Sequence, residues 1–148
     1  SYNIKKDVCE YNLVDKNGIN NYFNNYKESK LIWENYSFKD KKDIFLKAAD
    51  LIENKYYDKM LAYTIVGQNK NIYEAEIDAV CELVDFLRYN VYYAEEIMKK
   101  QPVQTPGIEN ISQYNSLNGV VASIPPFNLT ARGGNLASAP LLCGNGGV

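Results

Sequence analysis

Between Ile72 and Lys100 the chain runs without a glycine or a proline. Its apolar residues there recur in alternating steps of four and three: Tyr73, Ile77, Val80, Val84, Leu87, Val91, Ala94 and Met98. That spacing sets them on one stripe of an α-helix. A helix of this length with one apolar seam has to lay the seam against something, so it becomes the axis for the rest of the packing. Leu83 and Phe86 widen the stripe beyond a coiled-coil pattern, which favours packing within a domain. Glu95–Lys99 and Glu96–Lys100 stand in the favourable order for helical ion pairs. Asp78, Glu82 and Asp85 share the opposite face, which reads by default as solvated, with the option that one carboxylate reaches a pocket. Cys81, beside the seam, reads as a buried small hydrophobe.

The segments before this axis are weaker. Ile4, Val8, Tyr11 and Leu13 suggest a short edge strand, and Asn17-Gly18 a turn. Ile19, Tyr22, Phe23, Tyr26 and Trp33 suit a helix over 19–33. Ser37 and Asp40 read as caps of the next helix, whose stripe is Ile44, Phe45, Ala48, Leu51 and Ile52. A helix over 56–66 stops at Gly67, a residue suited to a left-handed cap.

The tail, SIPPFNLTARGGNLASAPLLCGN from Ser123 to Asn145, is of another kind. Pro102 and Pro106 break the long helix. Ile108–Leu117 reads as an extended strand and Asn118-Gly119 as a hairpin-type turn. Gly119–Ile124 reads as a buried strand, the two prolines as a sharp bend, and Leu129–Leu142 as a closely packed helix. The sequence therefore predicts an α/β fold, helices first and a strand-to-helix crossover last. Asn128 falls at the carboxyl end of a strand, where open α/β sheets place their ligands. Its amide can cap the following helix, the commoner role for Asn at such a place, or donate to a developing oxyanion. Gly133-Gly134 and Gly144, Gly146 and Gly147 match no phosphate-binding spacing and read as close packing of a helix on a sheet. Cys143 reads as buried.

Composition narrows the chemistry. Over 148 residues the net charge is −2, which gives no electrostatic reason to expect nucleic acid or an anionic membrane as partner. No apolar run approaches the roughly 20 residues of a membrane helix. Three cysteines fit no disulfide framework or zinc motif, and no metal site is expected. The absence of histidine removes the commonest general base and metal ligand, so a complete catalytic machine is not expected in these residues alone.

The tail IPPFNLTARGGNLASAPLLCGN resembles the signature of the aldehyde dehydrogenase family. Phe127 before Asn128 and the GGNLA stretch resemble its glutamate-γ-semialdehyde (1-pyrroline-5-carboxylate) dehydrogenase branch. IFLKAADLI (44–52), VGQNK (66–70), AEIDAVCELVDFLRYN (75–90) and QPV (101–103) are similar to that branch in the same order and spacing. The resemblance implies an NAD-dependent oxidation of L-glutamate 5-semialdehyde to L-glutamate, in proline catabolism. It implies Asn128 as the catalytic oxyanion donor, which then leads its cap reading. It implies Glu82 and Phe127 at the aldehyde site, and Ile124, Pro125, Pro126 and Phe127 along the NAD cleft. Pro125 stands where the branch usually has Ser, which stiffens the bend and removes an N–H. Asn145-Gly146-Gly147-Val148 replaces a run of β-branched residues, which weakens the last strand.

The expected organisation is a mostly helical region over 1–107, a strand of an oligomerisation region over 108–118, and the start of an NAD-binding domain over 119–148. The family's nucleophilic cysteine, second glutamate and ribose-binding lysine are expected beyond Val148, in a longer chain, and these residues by themselves are expected to be inactive. A homo-oligomeric parent is implied, with 108–117 pairing to a neighbouring subunit. The mitochondrial matrix is implied for a eukaryotic host and the cytoplasm for a bacterial one. The reading from another class is a self-contained helical interaction module that offers its 73–98 seam to a partner.

Overall fold

The computed structural model describes Asp7 and residues 9–147. Of the suggested edge strand, Ile4 and Val8 lie outside the described residues, while Tyr11 and Leu13 are exposed and irregular. Helix α1 spans Lys16–Asn35. Asn17-Gly18 is its first turn rather than a separate one, because Asp15 caps the helix by accepting from the Gly18 N–H at 2.7 Å. Helix α2, Phe38–Asp50, opens on a reciprocal capping box between Ser37 and Asp40. A π-helical segment, Leu51–Lys55, follows, closed by the Tyr56 N–H on the Leu51 carbonyl. Helix α3 is Tyr57–Gln68. Its left-handed terminator is Asn69, at φ 55°, not Gly67, since the helix continues through Gly67 for one more residue.

The axial helix is continuous from Ile72 to Lys99, but it is not α-helical throughout. Helix α4, Ile72–Ala75, passes into a π-helical stretch, Glu76–Glu82, and then into α5, Leu83–Lys99. This interruption explains where the seam departs from its sequence pattern. Val80, Val84, Leu87 and Val91 are buried as expected. Tyr73 and Ile77 are exposed, and Ala75, Asp78, Ala79 and Leu83 take the inward positions. Wider i→i+5 turns shift the phase, so counting back from Val80 in steps of three and four lands on the wrong face. Glu95 pairs with Lys42 of α2 at 2.8 Å instead of with Lys99, which turns to Glu96.

The seam is consumed by the chain's own core: Phe45 and Ala49 from α2, Leu61 from α3, and Ala131 and Leu142 from the last helix close over it. Burial of each Val or Leu there contributes about 1.5–3 kcal/mol. That removes the reading in which the 73–98 seam is left free for a partner.

Beyond Lys99 the chain is extended. Over 108–117 there is no strand among the described residues, only one bridge between Thr105 and Ile108. Strand β1 is Val120–Val121 and pairs in parallel with β2, Gly146–Gly147. Asn118-Gly119 therefore makes no hairpin. Gly119, at φ 96°, bends the chain into β1, while its carbonyl accepts from the Gly146 N–H at 3.0 Å. Helix α6, Thr130–Leu142, crosses over between the two strands and lies along the axial helix. Gly134 gives the close approach: a Cβ there would stand 2.5 Å from Leu83 Cδ1. At Gly134 the tight packing is thus helix on helix, while at Gly147 of β2 a Cβ would stand 3.1 Å from the Ala137 carbonyl of α6, the expected close approach of helix and strand. Cys81 and Cys143 are exposed, not buried, because each sits just off the contact that its neighbours make.

Candidate functional site

The corner between β1 and α6 is fastened on both sides. Pro140 lies inside α6 and has no N–H, so the Leu136 carbonyl one turn earlier has no intrahelical donor. The Ser123 hydroxyl donates to that carbonyl at 2.8 Å, which ties the outgoing strand to the helix. Ile124, Pro125 and Pro126 then run across the surface. The Leu129 N–H reaches the Pro126 carbonyl at 3.4 Å, closing a turn with Phe127 and Asn128 at its tip. Ile124 and Phe127 are 92% and 93% exposed. The Asn128 side chain is exposed and makes no hydrogen bond among the described residues.

Asn128 does not cap α6. The helix start is capped from another element, by Asp78 of the π-helical stretch. Its Oδ2 accepts from the Thr130 N–H at 2.8 Å and its Oδ1 from the Ala131 N–H at 2.9 Å. Lys70 Nζ closes the arrangement at 2.6 Å. The Thr130 hydroxyl lies 3.1 Å from that of Thr64, and the Gln68 amide donates to it at 2.7 Å. Asp78 is 4% exposed, which corrects its assignment to a solvated face. Burial alone pushes its carboxyl upward, but Lys70 and the two backbone donors outweigh that and hold it below the usual carboxylate range. Sequence reasoning missed Asp78 and Lys70. The available signal was small residues at Ala75 and Ala79, on either side of Asp78 on the inward face, which admit another backbone closely.

Glu82, at the end of the π-helical stretch, is half-buried and lines a shallow cleft of about 650 Å³ with Ile77, Cys81, Asp85, Phe86 and Tyr89. Phe127 and Asn128 do not line this cleft. The described residues therefore bring Glu82 to a concave surface and leave Phe127 and Asn128 at an exposed tip. The π-helical stretch is the common base, since it supplies both Glu82 and the cap that holds α6. At its other end the Tyr57 hydroxyl donates to the Glu76 carboxylate, which pushes the Tyr57 phenol up to about 12.

Two parallel strands joined by a crossover helix, with a proline-flanked corner at the carboxyl end of the first, describe the beginning of an α/β unit of the class that takes ligands at the carboxyl ends of its strands. The aldehyde dehydrogenase family pattern matches residues 4–148, and the chain belongs to that family. Within it, the probable delta-1-pyrroline-5-carboxylate dehydrogenase of Schizosaccharomyces pombe is 47% identical over 142 residues, 95% of this chain and 26% of its own length. The mitochondrial delta-1-pyrroline-5-carboxylate dehydrogenase of Homo sapiens is 42% identical over 144 residues, 97% of this chain and 26% of its own. The crystal structure of the delta-pyrroline-5-carboxylate dehydrogenase from Mycobacterium tuberculosis, bound with NAD and cobalamin, superposes with a TM-score of 0.84 at 37% identity. That superposition covers 90% of this chain and 25% of the solved one. The chain thus spans about a quarter of the length of the relatives it matches.

Proposed function

We propose that the chain is part of an NAD-dependent dehydrogenase that oxidises L-glutamate 5-semialdehyde, the open form of 1-pyrroline-5-carboxylate, to L-glutamate in proline catabolism. One observation carries the reading on the structural side: the Asn128 amide is unengaged at the corner because Asp78 does the capping. In this reading a cysteine thiolate outside these residues attacks the aldehyde carbon. The Asn128 N–H₂ donates to the oxygen as it takes up negative charge, an interaction stronger in the transition state than in the ground state. Phe127 walls the same region. Glu82 meets the polar end of the aldehyde from its cleft.

The corner also fits the cofactor. It follows a parallel strand at its carboxyl end, and Ile124 and Phe127 offer open apolar surface. Pro125 and Pro126 have no N–H, so Ile124, Pro125, Pro126 and Phe127 would meet NAD through carbonyls and apolar atoms. When bound, NAD accepts the hydride that leaves the aldehyde carbon.

The same reading divides the chain into a helical region over 1–107, an oligomerisation strand over 108–118 and the opening of the NAD-binding domain over 119–148. Over 108–117 the backbone is extended; Asn110 and Ser112 bond to the Gln104 and Gln101 side chains along one edge, and the other edge suits pairing with a neighbouring subunit in a homo-oligomer. The mitochondrial name of the human relative supports the mitochondrial matrix in a eukaryotic host; in a bacterial one the place is the cytoplasm.

The test is Asn128→Ala in the full-length protein, with turnover of the semialdehyde as the readout. Loss of one oxyanion donor typically lowers kcat by about 10²–10³. A fall of less than threefold removes Asn128 from the chemistry.

A further inference from the structure

We propose that Asp78, held in place by Lys70, is a positioning residue for the Asn128 amide. This rests on the reading of Asn128 as oxyanion donor and adds to it the group that aims the donor. Both oxygens of Asp78 are used on consecutive N–H groups, Thr130 and Ala131, at 2.8 and 2.9 Å. A two-point clamp fixes the rotation of the helix start as well as its position. Only Leu129 separates the clamped Thr130 from Asn128. On the other side of the tip the Ser123 hydroxyl is bound to the Leu136 carbonyl at 2.8 Å. The tip is therefore suspended between two fixed points, and the buried one belongs to the axial helix.

Asp78 is itself 4% exposed, with both oxygens engaged, so it offers nothing to a substrate. Its effect has to pass through the backbone it holds. A donor displaced by about 1 Å can cost about 10²-fold in rate, so the clamp is expected to show in kcat.

The experiment is a double-mutant cycle in the full-length enzyme, with Asp78→Asn, Asn128→Ala and the pair, read as kcat and KM for the semialdehyde. Asp78→Asn keeps the shape but loses the charge, and it turns an N–H₂ toward one of the two backbone donors. A tenfold or greater fall in kcat with KM within threefold is expected. On the Asn128→Ala background the same change should cost less than twofold, because the donor it aims is gone. Asp78→Glu, which keeps the charge, should recover part of kcat. If Asp78→Asn does not fold, Lys70→Gln takes its place, with a threefold to tenfold fall in kcat expected that also vanishes on Asn128→Ala. An unchanged kcat in the folded variant, or a full-size effect that persists without Asn128, overturns the positioning role. If instead Asn128→Ala itself has no effect, it is the oxyanion reading that fails.

Discussion

The two ends of α6 are held by different physics. At its start, a buried carboxylate, a partly buried ammonium and two threonine hydroxyls converge on the first turn. At its end, α1 reaches across with aromatic side chains. Trp33 Nε1 donates to the Leu141 carbonyl at 2.8 Å, the Tyr22 hydroxyl to Gly147 at 2.7 Å, and the Tyr26 hydroxyl to Gly119 at 3.0 Å. Helix α1 contributes no buried residue, and Ile19, Phe23, Leu31 and Ile32 remain exposed along it. A buried charge makes one position decisive, because nothing else can satisfy the groups left behind. Fastening by several bonds near the surface spreads the stability over many small terms. The end that leads out of the presented amide is the one built on buried charge.

The largest expected effect breaks the first end. Asp78→Ala leaves Lys70 and two helix N–H groups without their partner. Removing one member of a buried pair costs about 3–5 kcal/mol, which chemical denaturation would read. Acid gives the matching signature. The carboxyl is held below its ordinary range in the fold, so its contribution is complete above the unfolded value near 3.8 and is lost as pH falls through the lower, folded value. Stability below about pH 4 should therefore fall less steeply in Asp78→Asn than in the unaltered protein. Parallel acid slopes would mean that the carboxylate is not what holds this end.

A finer test uses two neighbouring glycines of α6. A Cβ on Gly134 would meet Leu83 Cδ1 at 2.5 Å, whereas one on Gly133 meets nothing within 4 Å. Gly→Ala within a helix gains about 0.5–1 kcal/mol, while overpacking a core costs about 1–3 kcal/mol. Leu83 is 6% exposed and has little room to yield, so packing wins at Gly134. Gly133→Ala should raise the denaturation midpoint and Gly134→Ala should lower it, by about 1 kcal/mol each. Equal shifts of the same sign would show that α6 does not press on α5.

What could be read ahead of the structure follows from how local each cause is. The Ser37–Asp40 box was legible because both partners lie within one turn. Val84, Leu87 and Val91 were legible because α-helical periodicity holds from Leu83 onward, and Val80 lies close enough to that start to keep its face. Tyr73 and Ile77 were not, since the π-helical stretch that turns them outward has no spacing signature of its own. The 108–117 segment has strand chemistry, but a strand needs a neighbouring strand, and among the described residues Asn110 and Ser112 meet the Gln104 and Gln101 side chains instead. At the candidate site, Asn128 was legible as an amide at a strand-to-helix corner. That it leaves the helix uncapped was not legible, because the cap comes from Asp78, fifty positions away. An acid on a long helix reads as solvent-facing until the element that covers it is known.

The smallest expected effect probes the second end. Tyr22→Phe removes a single hydroxyl that donates to the Gly147 carbonyl at 2.7 Å. The ring stays, packed where Gly146 leaves space: a Cβ at Gly146 would lie 3.1 Å from that hydroxyl and 2.6 Å from the Tyr26 ring. Burial raises the Tyr22 phenol above its ordinary value, with the Tyr26 phenol adding to the shift, so the hydroxyl keeps its proton and stays a donor at any working pH. A neutral hydrogen bond of this kind contributes about 0.5–1.5 kcal/mol net, and the freed carbonyl, close to the surface, can turn to water. The expected loss is therefore about 1 kcal/mol, a fraction of that for Asp78→Ala, with kcat in the full-length protein unchanged because the Tyr22 hydroxyl bonds to β2 and to neither of the two fastenings of the corner, Ser123 and Asp78. A loss as large as that of Asp78→Ala would mean that α1 is fastened by buried interactions after all, and the contrast between the two ends would vanish.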